Sequence, residues 1–361
     1  MAAEIVEPGE PLLRYRAGPT ARRILKERGL MVETLGAFVG PASGPKWLVL
    51  AGIDRALLDL GLLTGAEDRR TLLVGSSAGG WRILALATAD PATTHQGLLA
   101  GYIHQVFTDE DTPITVSAAY REIFRELFSD DAVRYIIDHP RLDVALHVVR
   151  RRLGRSKTKN AQVAVLSAAM ASATLGRRGV ERLFEPYVFH SRPDDVVASL
   201  GVKAARLDPD NFFDVAMATG SVPIYMDPVS DIAGGSPGLY LDGGLTDYHI
   251  NRRYVDDADR LVLFPHYRER IAPGWFDKHM PWRKPSRATL DNLLQIFPSD
   301  DFVRRLPGGV LPDRQDFARF ADDPQERIRR WTTAVSMADG LGRELKRDLE
   351  SGAYLGRLES F

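Results

Sequence analysis

Between residues 21 and 89, apolar runs and glycine turns alternate in an order that few folds accommodate. Residues 21–29 read as a short amphipathic helix stopped by Gly29, and 35–39 as a small apolar strand. Gly40-Pro41-Ala42-Ser43-Gly44-Pro45 is a loop by composition. Over 46–63, Leu48, Ile53, Leu57 and Leu60 recur with helical spacing, interrupted only by Gly52. Residues 71–74 form a buried-type strand, 75–80 turn the chain, and 81–89 resume as a helix before Pro91. Strand, glycine-rich loop, helix, strand, sharp turn, helix predicts an α/β fold, a parallel sheet covered by helices on both faces.

The rest of the chain extends this frame. Residues 1–20 hold three prolines and two glycines and read as an irregular lead-in. The middle, about 115–200, reads as mostly helical, with helices at 116–128, 132–153, 161–175 and 194–199. Strand-like runs return at 238–242 and 260–265. The stretch 268–313, rich in Pro, Trp and Arg, predicts loops, and helices at 315–321 and 324–349 predict a charged C-terminal extension, about 315–361, capping the outside. No internal repeat or linker divides the chain, so 1–361 is expected to form one domain.

Composition excludes several functions. The chain has 361 residues, 44% hydrophobic and 26% charged, enough to bury a core. Lys plus Arg at 47 against Asp plus Glu at 48 leave no global field for nucleic acid, so no nucleic-acid partner is expected. With no cysteine there are no disulfides, thiol nucleophiles or thiolate metal sites. The acidic, proline-containing N-terminus lacks the pattern of a secretory signal, and no run of about 18 apolar residues suggests a membrane span. A cytoplasmic protein is expected.

The chemistry begins at Gly75-x-Ser77-x-Gly79, which follows a strand and opens a helix. In that context the motif means a nucleophile elbow: the serine occupies a strained turn that exposes its hydroxyl, and bulky neighbours would clash. The N–H of Ala78, at the helix N-terminus, is placed to support an oxyanion. The usual partner would be histidine. Of the eight histidines only His266, after the strand-like run 260–265, stands where a triad base would. Leu241-Asp242-Gly243-Gly244 is a tight turn presenting a carboxylate.

Taken together, four segments resemble the patatin-like phospholipases. They are Ser43-Gly44-Pro45-Lys46, the elbow, the run Ala216-Met217-Ala218-Thr219-Gly220-Ser221-Val222-Pro223-Ile224-Tyr225-Met226-Asp227-Pro228, and Tyr240-Leu241-Asp242-Gly243-Gly244-Leu245-Thr246-Asp247. The resemblance runs from about residue 35 to 251. It implies a three-layer α/β/α sandwich with a mostly parallel central sheet, and a Ser–Asp dyad of Ser77 and Asp242. It also implies an oxyanion loop donating the N–H groups of Ser43 and Gly44. The chain departs from the family's glycine-rich loop: Ser43 replaces a glycine, Pro45 has no N–H to give, and Trp47 stands at the last glycine position.

The implied activity is cleavage of lipid or carboxylic esters, of the phospholipase A or lipase type, with no cofactor and no metal. The alternatives are a His266-dependent triad esterase, an intracellular polyester depolymerase, and a non-catalytic lipid-binding or scaffold protein. Arg150, Arg151, Arg152, Arg155, Lys157 and Lys159, just before the apolar run 161–175, open a reading as a peripheral contact with an anionic membrane surface. A solvated helix end followed by a buried core helix is the plainer reading. Lys46 is either a cation beside the acyl oxygen or an ordinary helix-start lysine.

Overall fold

The computed structural model describes residues 10–192 and 201–361, so the helix read at 194–199 lies outside the described residues. The strands are β1 (Leu13–Ala17), β2 (Leu35–Gly40), β3 (Thr71–Ser76), β4 (Leu142–Arg151), β5 (Phe184–His190) and β6 (Lys203–Arg206). They continue with β7 (Val229–Ser230), β8 (Leu239–Asp242), β9 (Leu261–Pro265), β10 (Leu293–Pro298) and β11 (Leu358–Glu359). They form one sheet in the order β11-β1-β10-β9-β2-β3-β4-β5-β6, with β8 paired to β4 and β7 to β8. The run from β10 through β9, β2 and β3 to β4 is parallel throughout. Antiparallel pairs are β1 with β10, β4 with β5 and β8, and β7 with β8. The fold is therefore α/β with a mostly parallel central sheet in an α/β/α sandwich.

Strand periodicity sends alternate side chains to opposite faces. Phe38, Leu73, Leu146 and Leu263 face a large core shared with Trp47, Ile83, Leu99, Phe124 and Trp331 of the helical layer. Their neighbours Ala37, Val39, Leu72, Val74, Val262 and Phe264 face the other side, against Ile250, Tyr254, Val255 and Ile271. The helix Lys159–Ala173 lies over the end of that second face, with Ala169 and Ala173 packed on Val149 and Leu241.

One register detail brings distant segments together. On β4, His147 is opposite Ser76 of β3, and the next residue, Val148, is opposite Asp242 of β8. Because β5 occupies the other edge of β4 along Ala145–Arg151, β8 continues the edge that β3 leaves. The two strands approach end to end, and both turn away at that junction.

Several predicted elements differ. The expected helix over 132–153 is a helix, Asp130–Ile137, followed by β4. Pro140 cannot continue a helix, and β4 is buried on both faces, so its sequence, mostly apolar over 142–149 apart from Asp143 and His147, shows no regular alternation. Within the lead-in, Leu13, Tyr15 and Ala17 point inward while Arg14 and Arg16 do not, which makes β1. β5 lies in the stretch read as helical and β6 just beyond it, and β10 and the helix Asp300–Arg305 lie in the stretch read as loops. The helix read over 46–63 is a 3₁₀ turn, Gly44–Leu50, and a helix, Ala51–Asp59. The last helix, Pro324–Ser351, is no outer cap. It buries Trp331, Ala338, Leu341 and Leu345 in the main core.

Candidate active site

Ser77 sits at φ 56°, ψ −138°, a backbone region that side chains other than glycine rarely occupy. The strain is held by bonds from outside the turn. The Ser77 N–H donates to the carbonyl of Thr219 at 2.9 Å and to its hydroxyl at 3.0 Å, while that hydroxyl donates to the His147 carbonyl at 2.7 Å. Glycine is required around the elbow for space. A Cβ on Gly79 would lie 2.1 Å from the Gly40 carbonyl oxygen, and one on Gly75 would lie 2.8 Å from the Gly79 backbone. Behind the elbow helix Ala78–Leu86, Arg82 is paired with Asp54 at 2.5 Å, and His95 reaches the same carboxylate at 3.1 Å. This trio is fully buried and braces the helix from the side away from Ser77.

Asp242 ends β8 beside this turn. Its N–H donates to the Ser221 carbonyl at 3.1 Å, and its carboxylate accepts the Gly244 N–H at 2.7 Å. Burial raises the carboxyl from 3.8 to about 6, against the lowering effect of the nearby Ser77 hydroxyl, of the Gly244 N–H and of the charges on Arg314 and Lys278. Ser77 and Asp242 are both buried, each keeping 6% of its surface exposed. Gly243 and Gly244 are needed here too: a Cβ on Gly243 would lie 2.2 Å from the His147 carbonyl oxygen, and one on Gly244 2.9 Å from Ala42.

The third part is the loop after β2. Its backbone passes the elbow at Gly40 and Pro41 and the Asp242 turn at Ala42, and the Ala42 N–H donates to the Tyr248 carbonyl at 2.7 Å. Gly44 has φ +53° with open space where a Cβ would be. Among the described residues, the N–H groups of Ser43 and Gly44 donate to no protein acceptor. The buried Ser43 hydroxyl is likewise without a partner. The Ala78 N–H stands at the start of its helix, free of intrahelical acceptors. Unpaired donors thus lie in the loop that passes the elbow and the Asp242 turn. Lys46, in the first turn of the 3₁₀ segment Gly44–Leu50, pairs its ammonium with Asp313.

His266 does not join this group. It is 0% exposed, its Nδ1 bonds the Arg268 carbonyl at 2.5 Å, and burial lowers it to about 3. Its ring packs against those of Phe264, His249 and Tyr267. A cavity of about 370 Å³ lies elsewhere, between Arg121, Lys157, Asp214 and Asp227, and its lining includes neither Ser77 nor Asp242. Its charges are already paired, Arg121 with Asp214 and Lys157 with Asp227.

Sequence motifs did not point to the remaining residues of the site. Thr219 falls within the run 216–228, but only the fold shows that it pins the elbow. Lys278 and Arg314 come from the stretch read as loops and their edge; no motif marks them. No family model matches the chain, and no curated protein matches it.

Proposed function

We propose that the protein is a serine acyl hydrolase that cleaves carboxylic esters with Ser77 as nucleophile and Asp242 as base, as the resemblance to patatin-like phospholipases implies. The observation that carries this is the meeting of β3 and β8 end to end on β4, which sets Ser77, in a strained turn, beside a buried carboxylate raised to about 6, with the Ser77 hydroxyl acting on that carboxylate. An ordinary aspartate, near 3.9, is a weak base at neutral pH; the raised value improves the match for proton transfer while leaving the group ionised.

As the Ser77 oxygen bonds the ester carbonyl carbon, its proton passes to Asp242. The carbonyl oxygen becomes an oxyanion held by the N–H groups of Gly44, Ser43 and Ala78. Collapse breaks the carbon–oxygen bond to the alcohol, which leaves with the proton from Asp242. Water then gives a proton to Asp242 while its oxygen attacks the acyl-serine, and the carboxylic acid is released as Ser77 regains its proton. The same carboxylate serves both halves, so neither a metal nor a cofactor enters the scheme. The cysteine-free chain suits a reducing, cytoplasmic compartment.

The test is labelling by a fluorophosphonate together with release of p-nitrophenol from short and long acyl esters. Wild type should be labelled and turn over, and Ser77→Ala should do neither. A wild-type protein that is folded, unlabelled and inert toward every chain length would sink the proposal.

The membrane reading receives less support. Arg150 and Arg152 pair with Glu185, Arg155 with Asp231, and Lys157 with Asp227. Three carboxylates thus offset half of the six cations in 150–159, and Arg150 and Arg152 share one of them with Lys203. The following helix does expose apolar surface at Val163, and Leu175 just beyond it is 70% exposed, so it is not the buried core helix its composition predicts. Among the described residues no helix is long and apolar enough to cross a membrane.

A further inference from the structure

Two cations that no sequence motif marks stand beside the dyad without carboxylate partners. Lys278 lies with its ammonium 4.3 Å from the Trp275 ring centroid and 5.1 Å from that of Tyr248. Those rings belong to the wall of the site. The Trp275 N–H donates to the Gly244 carbonyl at 3.0 Å, and Tyr248 would lie 3.3 Å from a Cβ on Gly244. Three backbone bonds from the Arg270 guanidinium, to Asp277, Lys278 and Met280, fix the turn that carries the lysine. The Arg314 guanidinium stacks 4.0 Å from the Tyr225 ring centroid, and its neighbour Asp313 is held by Lys46, three residues after Ser43 in the loop beside the elbow. The charges of both cations act on Asp242. The one carboxylate adjoining Arg314, Asp313, is taken by Lys46. Among the described residues neither Lys278 nor Arg314 has a carboxylate within 4.0 Å, the separation that defines an ion pair.

A half-buried cation without a counterion is unfavourable unless something brings the missing charge. Asp242 cannot be that partner throughout, because it must take up a proton during the reaction. We propose that Lys278 and Arg314 form an anion subsite at the mouth of the dyad, so that the ester cleaved here carries a carboxylate or phosphate group close to its scissile bond. This rests on the ester-hydrolase reading and narrows it. The aromatic faces under both cations restrict them to one side and leave the other toward the incoming group. An arginine and a lysine suit either anion, the planar fork by paired hydrogen bonds and the ammonium as a point charge.

The experiment separates binding from turnover. Full-length Ser77→Ala protein is titrated by calorimetry with hexanoate, hexyl phosphate and hexanol, which share one chain and differ in charge. At least one anion should bind about 10- to 100-fold tighter than hexanol, the span of one or two charge-assisted contacts. Whichever anion shows the larger gain identifies the group. Adding Lys278→Met or Arg314→Gln should erase most of the gain, and Lys278→Arg should keep it. Equal binding of all three ligands, or a gain that survives both neutral variants, overturns the subsite. Failure of the hydrolase reading is seen separately, as wild type that binds the anion yet cleaves no ester.

Discussion

At the level of single residues, Asp242 carries opposite demands. Its carboxyl is raised from 3.8 to about 6 chiefly by burial, so the folded state holds the proton more tightly than the unfolded chain does. The associated stability is fully present below the unfolded value near 3.9 and is lost as pH rises through 6; above that the buried charge destabilises by about 3 kcal/mol. Catalysis needs the ionised form. Turnover of neutral esters should therefore fall below pH 6 with a slope of one proton. Asp242→Asn should lose about 10³-fold or more in kcat, no less than Ser77→Ala, and the double variant should lose no more than either alone. The same Asn variant should melt higher than wild type at pH 8 and about equally at pH 4. A folded Asp242→Asn enzyme with near-normal kcat would end the dyad reading. For an anionic ester a second limb should appear near pH 8, where Lys278 loses its proton. Burial, together with the charges of Arg314, Lys46 and Arg268 and against the opposing pull of Asp313, lowers that lysine from 10.5 to about 8. Lys278→Arg should move this limb to higher pH, because a guanidinium stays protonated.

Among elements, close backbone crossings decide which parts of the sheet and helices can meet. A Cβ on Gly52 would lie 1.8 Å from the Ala338 carbonyl oxygen, and one on Gly342 would lie 2.3 Å from the Gly52 oxygen. The helices Ala51–Asp59 and Pro324–Ser351 therefore touch backbone to backbone. Gly52→Ala should destabilise by about 2–4 kcal/mol, as overpacked and strained core sites do, read as a lower melting temperature with kcat per folded molecule nearly unchanged. An unchanged melting temperature would mean that the helices separate without loss. This crossing could not be read from sequence, where Gly52 only interrupts a helical period. The elbow was legible, because Gly75, Ser77 and Gly79 have fixed spacing and a strand before them. β4 was not. With both its faces buried it shows no regular strand period, its polar residues Asp143 and His147 fall four apart as on a helix, and the signal that separates it from the preceding helix is Pro140. β1 did carry a signal, the alternation of Leu13, Tyr15 and Ala17 with two arginines, obscured by prolines on either side. The pairing of Ser77 with Asp242 was suggested by motif order, but its cause, two strands meeting end to end on β4, exists only in the folded sheet. Lys278 and Arg314 had no local signature at all, since an anion subsite built from separate turns leaves no spacing to recognise.

Across the whole molecule, the two ends of the chain share one edge of the sheet. β1 pairs with β10 on one side and with β11 on the other. Glu344, on the last helix, accepts the N–H groups of Leu12 and Leu13 at 2.9 and 3.1 Å. Asp348 on that helix accepts the Tyr15 hydroxyl at 2.6 Å, and Arg357 bonds both Asp348 and Glu344 at 2.8 Å. Trp331 of the same helix stacks on Tyr102, whose ring also contacts Trp81, four residues after Ser77. The C-terminal region is therefore joined to the elbow by a continuous run of buried rings and to the first strand by buried polar bonds. Removing it would strand Tyr15, leave the Leu12 and Leu13 N–H groups without acceptors, and open the core under the elbow. A chain ending at residue 320, which keeps the dyad, the oxyanion loop, Lys278 and Arg314, should show no cooperative melting transition, rapid proteolysis and no fluorophosphonate labelling. The full chain should melt in one calorimetric transition. A truncated protein that melts cooperatively and still reacts at Ser77 would show that the motifs fold and function without the last helix.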